Sequence, residues 1–238
     1  MIELYNDDCL NILKTIPNES IHLVVTDPPY RITSRGSSGN TGGMFQKEIN
    51  KNGRVFEYND ITPPQYAPEL YRVLRQNTHC YVMCNHVNLI DMLNVFTSVG
   101  FGFVKSLIWD KGNKINGKFY MSQFEYILLF RKGGERIINN CGTSDIISIR
   151  NIKHKNLDGT NIHDSEKPVE LMQCLIENSS DETEIVLDPF VGSGSTAVAC
   201  LNSYRNFIGI EIDKKYYDIA QARVQNKPGI IVKKKSLI

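Results

Sequence analysis

The sequence has no apolar run as long as a membrane span, and its N-terminus lacks a basic segment followed by an apolar one. It also has no internal repeat, coiled-coil heptad or low-complexity tract. These absences argue against membrane and exported proteins and predict an intracellular, cytoplasmic protein. A length of 238 residues suffices for one well-cored α/β domain, so we expect residues 1–238 to form a single domain.

Cysteine usage gives little support for a metal site. The six cysteines are scattered and contain no Cys-x-x-Cys pair. Cys80 and Cys84, flanked by His79 and His86, have zinc-ligand residue types, but they lie on a strand-like run. We therefore predict buried reduced thiols and no metal.

Basic residues are concentrated in the middle of the chain. The formal net charge is only +1, but residues 105–155 contain ten lysines and arginines against four acids, a local net charge of +6. Such a patch predicts salt-dependent contact with nucleic-acid phosphates, although a scattered solvated surface would have the same composition. The candidate residues are Lys105, Lys111, Lys114, Lys118, Arg131, Lys132, Arg136, Arg150, Lys153 and Lys155.

The first motif that suggests chemistry is Asp27-Pro28-Pro29-Tyr30, directly after the apolar run 21–26. The prolines fix φ and carry no N–H, which leaves backbone carbonyls free to accept hydrogen bonds. Asp27 supplies a carboxylate acceptor, and Tyr30 an aromatic face for stacking a base. The motif is suited to gripping a planar amine, but taken alone it is equally consistent with a Pro-Pro turn leaving a strand.

A second motif follows the apolar run 186–187. Asp188-Pro189 leads to a glycine loop, and small residues then predict a helix with unpaired N–H groups at its start. A further apolar run, 207–210, ends in Glu211, whose carboxylate can accept both hydroxyls of a ribose. Strand, glycine loop, helix, strand and acid describe half of a nucleotide-binding unit. The glycine pattern alone also fits nicotinamide and flavin enzymes.

Apolar and helix-like segments alternate along the chain, which predicts a Rossmann-like, mostly parallel sheet with helices on both faces, an α/β fold. Both motifs follow strands, so we expect them to open on one crevice at the carboxyl ends of the sheet. The predicted strands are 2–5, 21–26, 80–84, 101–109, 124–130, 186–187 and 207–210, and the predicted helices are 9–15, 64–75, 87–99 and 214–226.

The ordered set of motifs resembles the beta class of amino-group DNA methyltransferases that depend on S-adenosylmethionine. In that class the DPPY motif comes first, a target-recognition segment follows, and the FxGSG cofactor motif comes last, as residues 190–194 do here. This order is a circular permutation of the class I methyltransferase fold. The resemblance extends to residues 6–9, 123–132, 209–213 and Glu166-Lys167-Pro168.

The resemblance implies a role for individual residues. Asp27, Pro28, Pro29 and Tyr30 would be catalytic, and Asp27 would also border the cofactor. Asp8 is also compatible with a simple helix cap, Lys167 with a solvated surface lysine, and Asp188 is expected to accept hydrogen bonds from its own loop. The implied S-adenosylmethionine-binding residues are Asp8, Cys9, Asp27, Lys167, Phe190, Gly192, Ser193, Gly194, Thr196 and Glu211.

The implied reaction is methylation of an exocyclic amine on a flipped-out base of double-stranded DNA. Aspartate at the first motif position is mostly found with adenine N6 in this family, and serine with cytosine N4, so Asp27 favours adenine. Cytosine N4, an RNA amine and a protein amine remain alternatives. Outside the methyltransferases, a nicotinamide-dependent oxidoreductase explains only the glycine loop, and a DNA-binding module explains only the basic region.

Two segments carry no regular pattern. Residues 31–60 contain five glycines and predict a flexible lid after Tyr30, and residues 133–164 predict a short target-recognition segment. The short recognition segment leaves the DNA sequence undefined. A restriction endonuclease and a second copy of the chain are further partners that the resemblance admits.

Overall fold

The computed structural model describes residues 1–29, 60–115, 119–150 and 166–225. Its strands form one eight-stranded sheet in the order β1-β8-β7-β2-β3-β5-β4-β6. These strands are β1 Ile2–Tyr5, β2 Ile21–Thr26, β3 Leu74–Cys84, β4 Gly102–Ile115, β5 Ser122–Lys132, β6 Ile146–Ser148, β7 Ile185–Asp188 and β8 Asn206–Ile210. The helices are α1 Cys9–Thr15, α2 Pro63–Val73, α3 Leu89–Val99, α4 Val169–Ser179, α5 Ser195–Asn202 and α6 Lys214–Gln225.

Helices cover both faces of the sheet in the described part of the chain. Helices α4, α5 and α6 pack on one face, and α1, α2 and α3 pack on the other, each set with its own buried core. The central strands are apolar in continuous runs because both faces are covered; Leu23, Val24 and Val25 of β2 are fully buried. The predicted Rossmann-like α/β fold is therefore confirmed.

All neighbouring strands pair in parallel except at β5, which is antiparallel to both β3 and β4. Strands β4 and β5 have no helix between them among the described residues, and a direct connection of this kind reverses the chain. The prediction of alternating strands and helices is thus wrong for this one pair, but it holds for the mostly parallel sheet.

Element bounds differ from the prediction mainly at the start of β3, which is six residues earlier, and at the end of β4, which is six residues later. Strand β2 and helix α1 have the predicted bounds. Helix α2 ends at Val73 instead of residue 75, because Leu74 already pairs with Ile21 at the start of β3. Strand β6 lies inside the segment predicted to be irregular and adds a parallel edge strand beside β4. None of the helices in the described ranges is long and apolar enough to cross a membrane.

Candidate active site

The two sequence motifs lie side by side, as predicted. Strands β2 and β7 are parallel neighbours, so the residues that follow them emerge at the same edge of the sheet. The Thr26 hydroxyl donates to Asp188 Oδ1 at 2.8 Å and links the two strand ends directly. Asp188 also accepts from the Phe190 N–H at 3.1 Å and the Thr196 hydroxyl at 2.6 Å. Asp188 is therefore an acceptor for its own loop, and it accepts from β2 as well.

Asp27 belongs to a cluster of four charged side chains at this edge. Lys167 Nζ donates to Asp27 Oδ2 and lies 3.6 Å from Glu125 Oε2. Lys111 Nζ donates to Glu125 Oε1 at 2.5 Å. Two acids and two lysines balance in charge, which is what burial of ionised groups requires. Lys167 is buried, so the interpretation of Lys167 as a solvated surface lysine is wrong.

Two carboxylate oxygens in this cluster are buried without a hydrogen bond. Among the described residues, Asp27 Oδ1 and Glu125 Oε2 are the buried side-chain oxygens or nitrogens that lack a hydrogen-bond partner. An unsatisfied buried acceptor is costly and rare, and it points to a missing donor. Asp27 Oδ1 is therefore available to a donor that the described residues do not supply.

Burial and the two lysines set the ionisation of the cluster. Burial raises the pKa of Asp27 above its ordinary value, and the positive charge of Lys167 opposes that rise. Burial also disfavours ionised Glu125, but Lys167 and Lys111 outweigh it and leave the Glu125 pKa below its ordinary value. The pKa of Lys167 is raised because the two carboxylates overcome the effect of its burial. The two carboxylates therefore favour the protonated form of Lys167 beside Asp27.

Pro28 and Pro29 follow Asp27 as the strand leaves the sheet. Pro28 is buried and Pro29 is partly buried. Tyr30, the last residue of the motif, lies outside the described residues, as do residues 31–59 of the predicted lid.

Apart from Asp27 and Lys167, the residues predicted to bind the cofactor follow the neighbouring strands β1, β8 and β7 at the same edge. Glu211 Oε2 accepts from the Gly192 N–H at 2.8 Å, and Glu211 Oε1 accepts from the Asp213 N–H at 2.9 Å. Gly192 has φ +54°, a left-handed conformation that favours glycine. Burial raises the pKa of Glu211, although these N–H groups oppose the rise. Each carboxylate oxygen keeps a lone pair for a further donor.

Apolar contacts border the same region. The Phe190 ring packs edge to face on Tyr66, with ring centroids 5.1 Å apart. Cys9 is buried in the core that these rings contact, and burial raises its pKa to about 12. The Asp8 carboxylate accepts from the Leu10 N–H at 2.8 Å and caps α1. The helix-cap interpretation of Asp8 is therefore confirmed, and its contact with adenine stays a prediction.

The segment before α4 contacts both the glycine loop, through Arg223, and Asp27. Glu166 pairs with Arg223 of α6 at 2.9 Å, and Arg223 donates to the Ser193 carbonyl at 2.9 Å. The next residue, Lys167, turns to Asp27. Gly194, at φ +88°, packs so closely on α6 that a Cβ would lie 2.9 Å from Ala220 Cα. Adjacent residues of one segment thus hold the glycine loop and the Asp27 carboxylate.

The basic residues predicted to contact phosphate fall into a buried group and an exposed group. Lys111 is buried on Glu125, and Lys132 is buried with Nζ donating to the carbonyls of Tyr71 and Leu74. Both predictions of phosphate contact are corrected, because these amino groups are used inside the fold. Lys114 and Arg150 are exposed. Lys118, Lys153 and Lys155 lie outside the described residues.

Sequence reasoning missed Glu125, Lys111 as its partner, Arg223 and Tyr66. Glu125 and Lys111 sit in runs that predict ordinary strands, and their pairing joins separate strands. The signal that existed for Glu125 was an acid interrupting an apolar run, between Phe124 and Tyr126. The predicted contact of Lys167 with a methionine carboxylate stays a prediction beside its observed contact with Asp27.

Comparisons with known proteins agree with this geometry. Residues 21–222 match the N6/N4 methyltransferase family, which is described as DNA methylase. The type II methyltransferase M.HinfI of Haemophilus influenzae is 28% identical over 244 residues, covering 92% of this chain and 67% of that relative.

Solved structures with the same fold include the M1.HpyAVI complex with S-adenosylmethionine, with a TM-score of 0.68, 23% identity and coverage of 94% of this chain and 100% of that chain. PvuII DNA methyltransferase, which is cytosine-N4-specific, has a TM-score of 0.72, 17% identity and coverage of 96% and 87%. The fold is thus that of the class I methyltransferases, and the family that the chain matches depends on S-adenosylmethionine. Within that class, the chain belongs to the N6/N4 DNA methylase family, as the sequence resemblance predicted.

Proposed function

We propose that this chain methylates the N6 amino group of adenine in double-stranded DNA, with S-adenosylmethionine as methyl donor and with the target base extruded from the duplex. The observation that carries the proposal is Asp27 Oδ1, a buried acceptor without a described partner at the edge that also holds the glycine loop. An exocyclic N–H of a nucleobase is a donor that would satisfy it.

The residues at the edge fit S-adenosylmethionine. Glu211 offers partly buried carboxylate oxygens suited to the two ribose hydroxyls, and the half-buried Phe190 ring offers an apolar surface. Gly192 and Gly194 give the loop a tight turn before α5. When bound, S-adenosylmethionine supplies an electrophilic methyl group on a positively charged sulfur. We assign the adenosine to the Glu211 side and the methionine to the loop of residues 190–194.

Asp27 and Pro28 would prepare the amine. The lone pair of an exocyclic amine is delocalised into the base ring, which makes the nitrogen a poor nucleophile. Hydrogen bonds from its two N–H groups to Asp27 Oδ1 and the Pro28 carbonyl would favour tetrahedral nitrogen and localise that pair. These contacts work by positioning and electrostatics and need no covalent enzyme intermediate. After transfer, the surplus proton on nitrogen can pass to Asp27 or to water.

Lys167 would hold the Asp27 carboxylate in this task. Because Lys167 occupies Oδ2, the other oxygen is left to face the base. Glu125 and Lys111 keep the cluster neutral in sum, so Lys167 cannot leave Asp27 without stranding a charge. The arrangement fixes which carboxylate oxygen accepts the amine.

Adenine is preferred to cytosine because Asp27 occupies the first motif position, where relatives acting on cytosine N4 mostly carry serine. Both bases present an amine beside a ring nitrogen, so this assignment needs a direct test. We further assign residues 133–164 to target recognition, of which 151–164 lie outside the described residues. We also place the enzyme in the cytoplasm with its DNA, and propose a restriction endonuclease and a second copy of the chain as partners.

The test is incubation of the chain with labelled S-adenosylmethionine and unmethylated genomic DNA, followed by digestion to nucleosides. N6-methyladenine within a recurrent flanking sequence is expected. N4-methylcytosine would replace the adenine assignment, and label only in parallel RNA or protein samples would refute DNA as substrate. Binding of NAD in place of S-adenosylmethionine would refute methyl transfer altogether.

A further inference from the structure

Strands β4 and β5 extend beyond the rest of the sheet at the active-site edge. Strand β3 ends at Cys84, which is paired with Tyr126 of β5. Beyond that pair, β4 and β5 continue through Trp109–Glu125 and Asp110–Phe124 to Ile115–Ser122. Because β4 runs parallel to β2, this overhang points the same way as the end of β2 that carries Asp27.

The base of the overhang is part of the charged cluster. Glu125 of β5 and Lys111 of β4 form an ion pair at 2.5 Å, and Glu125 also lies 3.6 Å from Lys167, which holds Asp27. Residue 120 is five positions from Glu125, a reach of at most about 17 Å for extended chain. The tip therefore lies within about 17 Å of the backbone of Glu125, the residue that joins the overhang to the charged cluster.

The tip, residues 119–121, exposes three large apolar side chains in succession. Phe119 is 89% exposed, Tyr120 94% and Met121 57%, and the first two are the most exposed large hydrophobic residues of the described ranges. Phe124, at 43%, continues the surface and packs edge to face on Tyr126 at 5.2 Å. Consecutive exposed aromatic side chains usually mark a contact surface rather than chance exposure.

Charge beside the tip favours nucleic acid over an apolar partner. Lys114 of β4 is exposed in the overhang. It directly precedes Ile115, which pairs with Ser122 next to the tip. Arg150 is also exposed. Its side chain lies against β4 in the overhang, where a Cβ on Gly112 would be 3.4 Å from Arg150 Cγ. Aromatic side chains with flanking cations suit stacked bases bordered by phosphates.

We propose that Phe119 and Tyr120 contact the base stack of duplex DNA where the target base has left it, and so stabilise the extruded state. The inference rests on the proposed DNA methyltransferase activity. The overhang then has two tasks. Its base supports Asp27, because Glu125 pairs with Lys167, which holds Asp27. Its tip replaces the stacking that is lost when the target base turns toward Asp27.

The test compares methyl transfer to native and to heat-denatured genomic DNA by the wild type and by the double variant Phe119→Ala/Tyr120→Ala. We expect about a tenfold loss on native DNA and less than about a twofold loss on denatured DNA, where extrusion is not needed. The matched control is Tyr204→Asn, which removes another exposed aromatic ring, 73% exposed, at the opposite edge of the sheet. Its φ of +60° is tolerated by Asn, and we expect no loss on either DNA.

Each outcome bears on one proposal. If the wild type methylates neither DNA, the proposed function fails and the role of the tip fails with it. If the wild type is active and the double variant matches it on native DNA, only the role of the tip is refuted. Equal losses on both DNAs would also refute it, and an accompanying change in sedimentation would identify the tip as an interface between copies.

Discussion

Two polar clusters on one face of the sheet have opposite character, although helix α4 contributes to both. Lys167, just before the helix, enters the cluster with Asp27 and Glu125. Ser179, its last residue, lies between His79 and Tyr81 of β3, with its Oγ 2.8 Å from His79 Nδ1 and 2.7 Å from the Tyr81 hydroxyl. The first cluster consists of two acids and two lysines, while the second consists of side chains that are neutral at pH 7.

The second cluster is satisfied within the fold. Burial lowers the pKa of His79 to about 4, and the charge of Arg136 adds to the effect. Burial raises the pKa of Tyr81 to about 12. The Ser179 hydroxyl can donate to one neighbour and accept from the other, so no charge is needed. The buried oxygens without a hydrogen bond among the described residues lie in the first cluster instead.

The difference separates a structural network from a functional one. A buried polar group that is fully paired adds specificity to packing, whereas an unpaired acceptor is retained at a cost to stability. The Asp27 cluster therefore has the properties of a site prepared for a ligand. Changes at the two clusters should accordingly affect different measurements: methyl transfer for the first, unfolding for the second.

The largest effect is expected from Asp27→Ala. Removing the acceptor should lower methyl transfer by at least about 10³-fold, because both the amine contact and the partner of Lys167 are lost. Single-turnover transfer to genomic DNA measures the effect. The control is Asp218→Asn, an exposed acid of α6 that pairs with Lys214, which should retain activity. Near-normal turnover of Asp27→Ala would contradict the assigned role, and neither cluster would then be needed for methyl transfer.

Lys167→Met should lower kcat by about 100-fold and move the acid limb of the kcat–pH profile to higher pH. Without this cation, Asp27 and Glu125 share only Lys111, so the Asp27 pKa rises further and more of the carboxylate is protonated at a given pH. Lys167→Arg keeps the charge and should leave the limb in place. A rise in KM for S-adenosylmethionine with unchanged kcat would instead support the predicted contact with the methionine carboxylate.

Ser179→Ala should lower the free energy of unfolding by about 2 kcal/mol and leave kcat unchanged. The substitution removes the shared hydroxyl and strands His79 Nδ1 and the Tyr81 hydroxyl in the core. Urea unfolding and steady-state kinetics on the same preparation measure both quantities. Loss of kcat at unchanged stability would show that the two clusters are coupled.

The smallest effect concerns pH and His79. The folded-state pKa of about 4 lies below the ordinary value of 6.5, so the unfolded chain binds more protons between them and stability falls as pH decreases. Between pH 7 and pH 5.5 this contribution is about 1 kcal/mol. The variant His79→Gln should lose that part of the pH dependence. An unchanged slope would place the titration in other groups.

The sequence was sufficient wherever a local pattern reports backbone conformation. The apolar run before Asp27 has the predicted bounds of β2, and the acid after β8 is Glu211, which accepts from the Gly192 N–H of the glycine loop. Prediction failed where a choice depends on neighbours in space. The prediction did not show that β5 is antiparallel, and it began β3 at residue 80 instead of Leu74. Both features depend on pairing with neighbouring strands.

Long polar side chains were the hardest to place. Lys167 is 140 positions from Asp27 in the chain, and its flexible stem reaches several acceptors equally well until the fold is known. The same holds for Lys111 and Lys132, which composition placed on a basic surface and packing placed in the interior.

Motif order, the α/β pattern and membership in the DNA methylase family were thus determined by the sequence alone, because each depends on residue types at short spacing. Only the tertiary structure decided which carboxylate Lys167 holds, which oxygen of Asp27 stays open, and that Glu125 and Lys111 complete the cluster. The physical reason is that the energy of a buried charge depends on every group packed around it, and those groups come from distant parts of the chain.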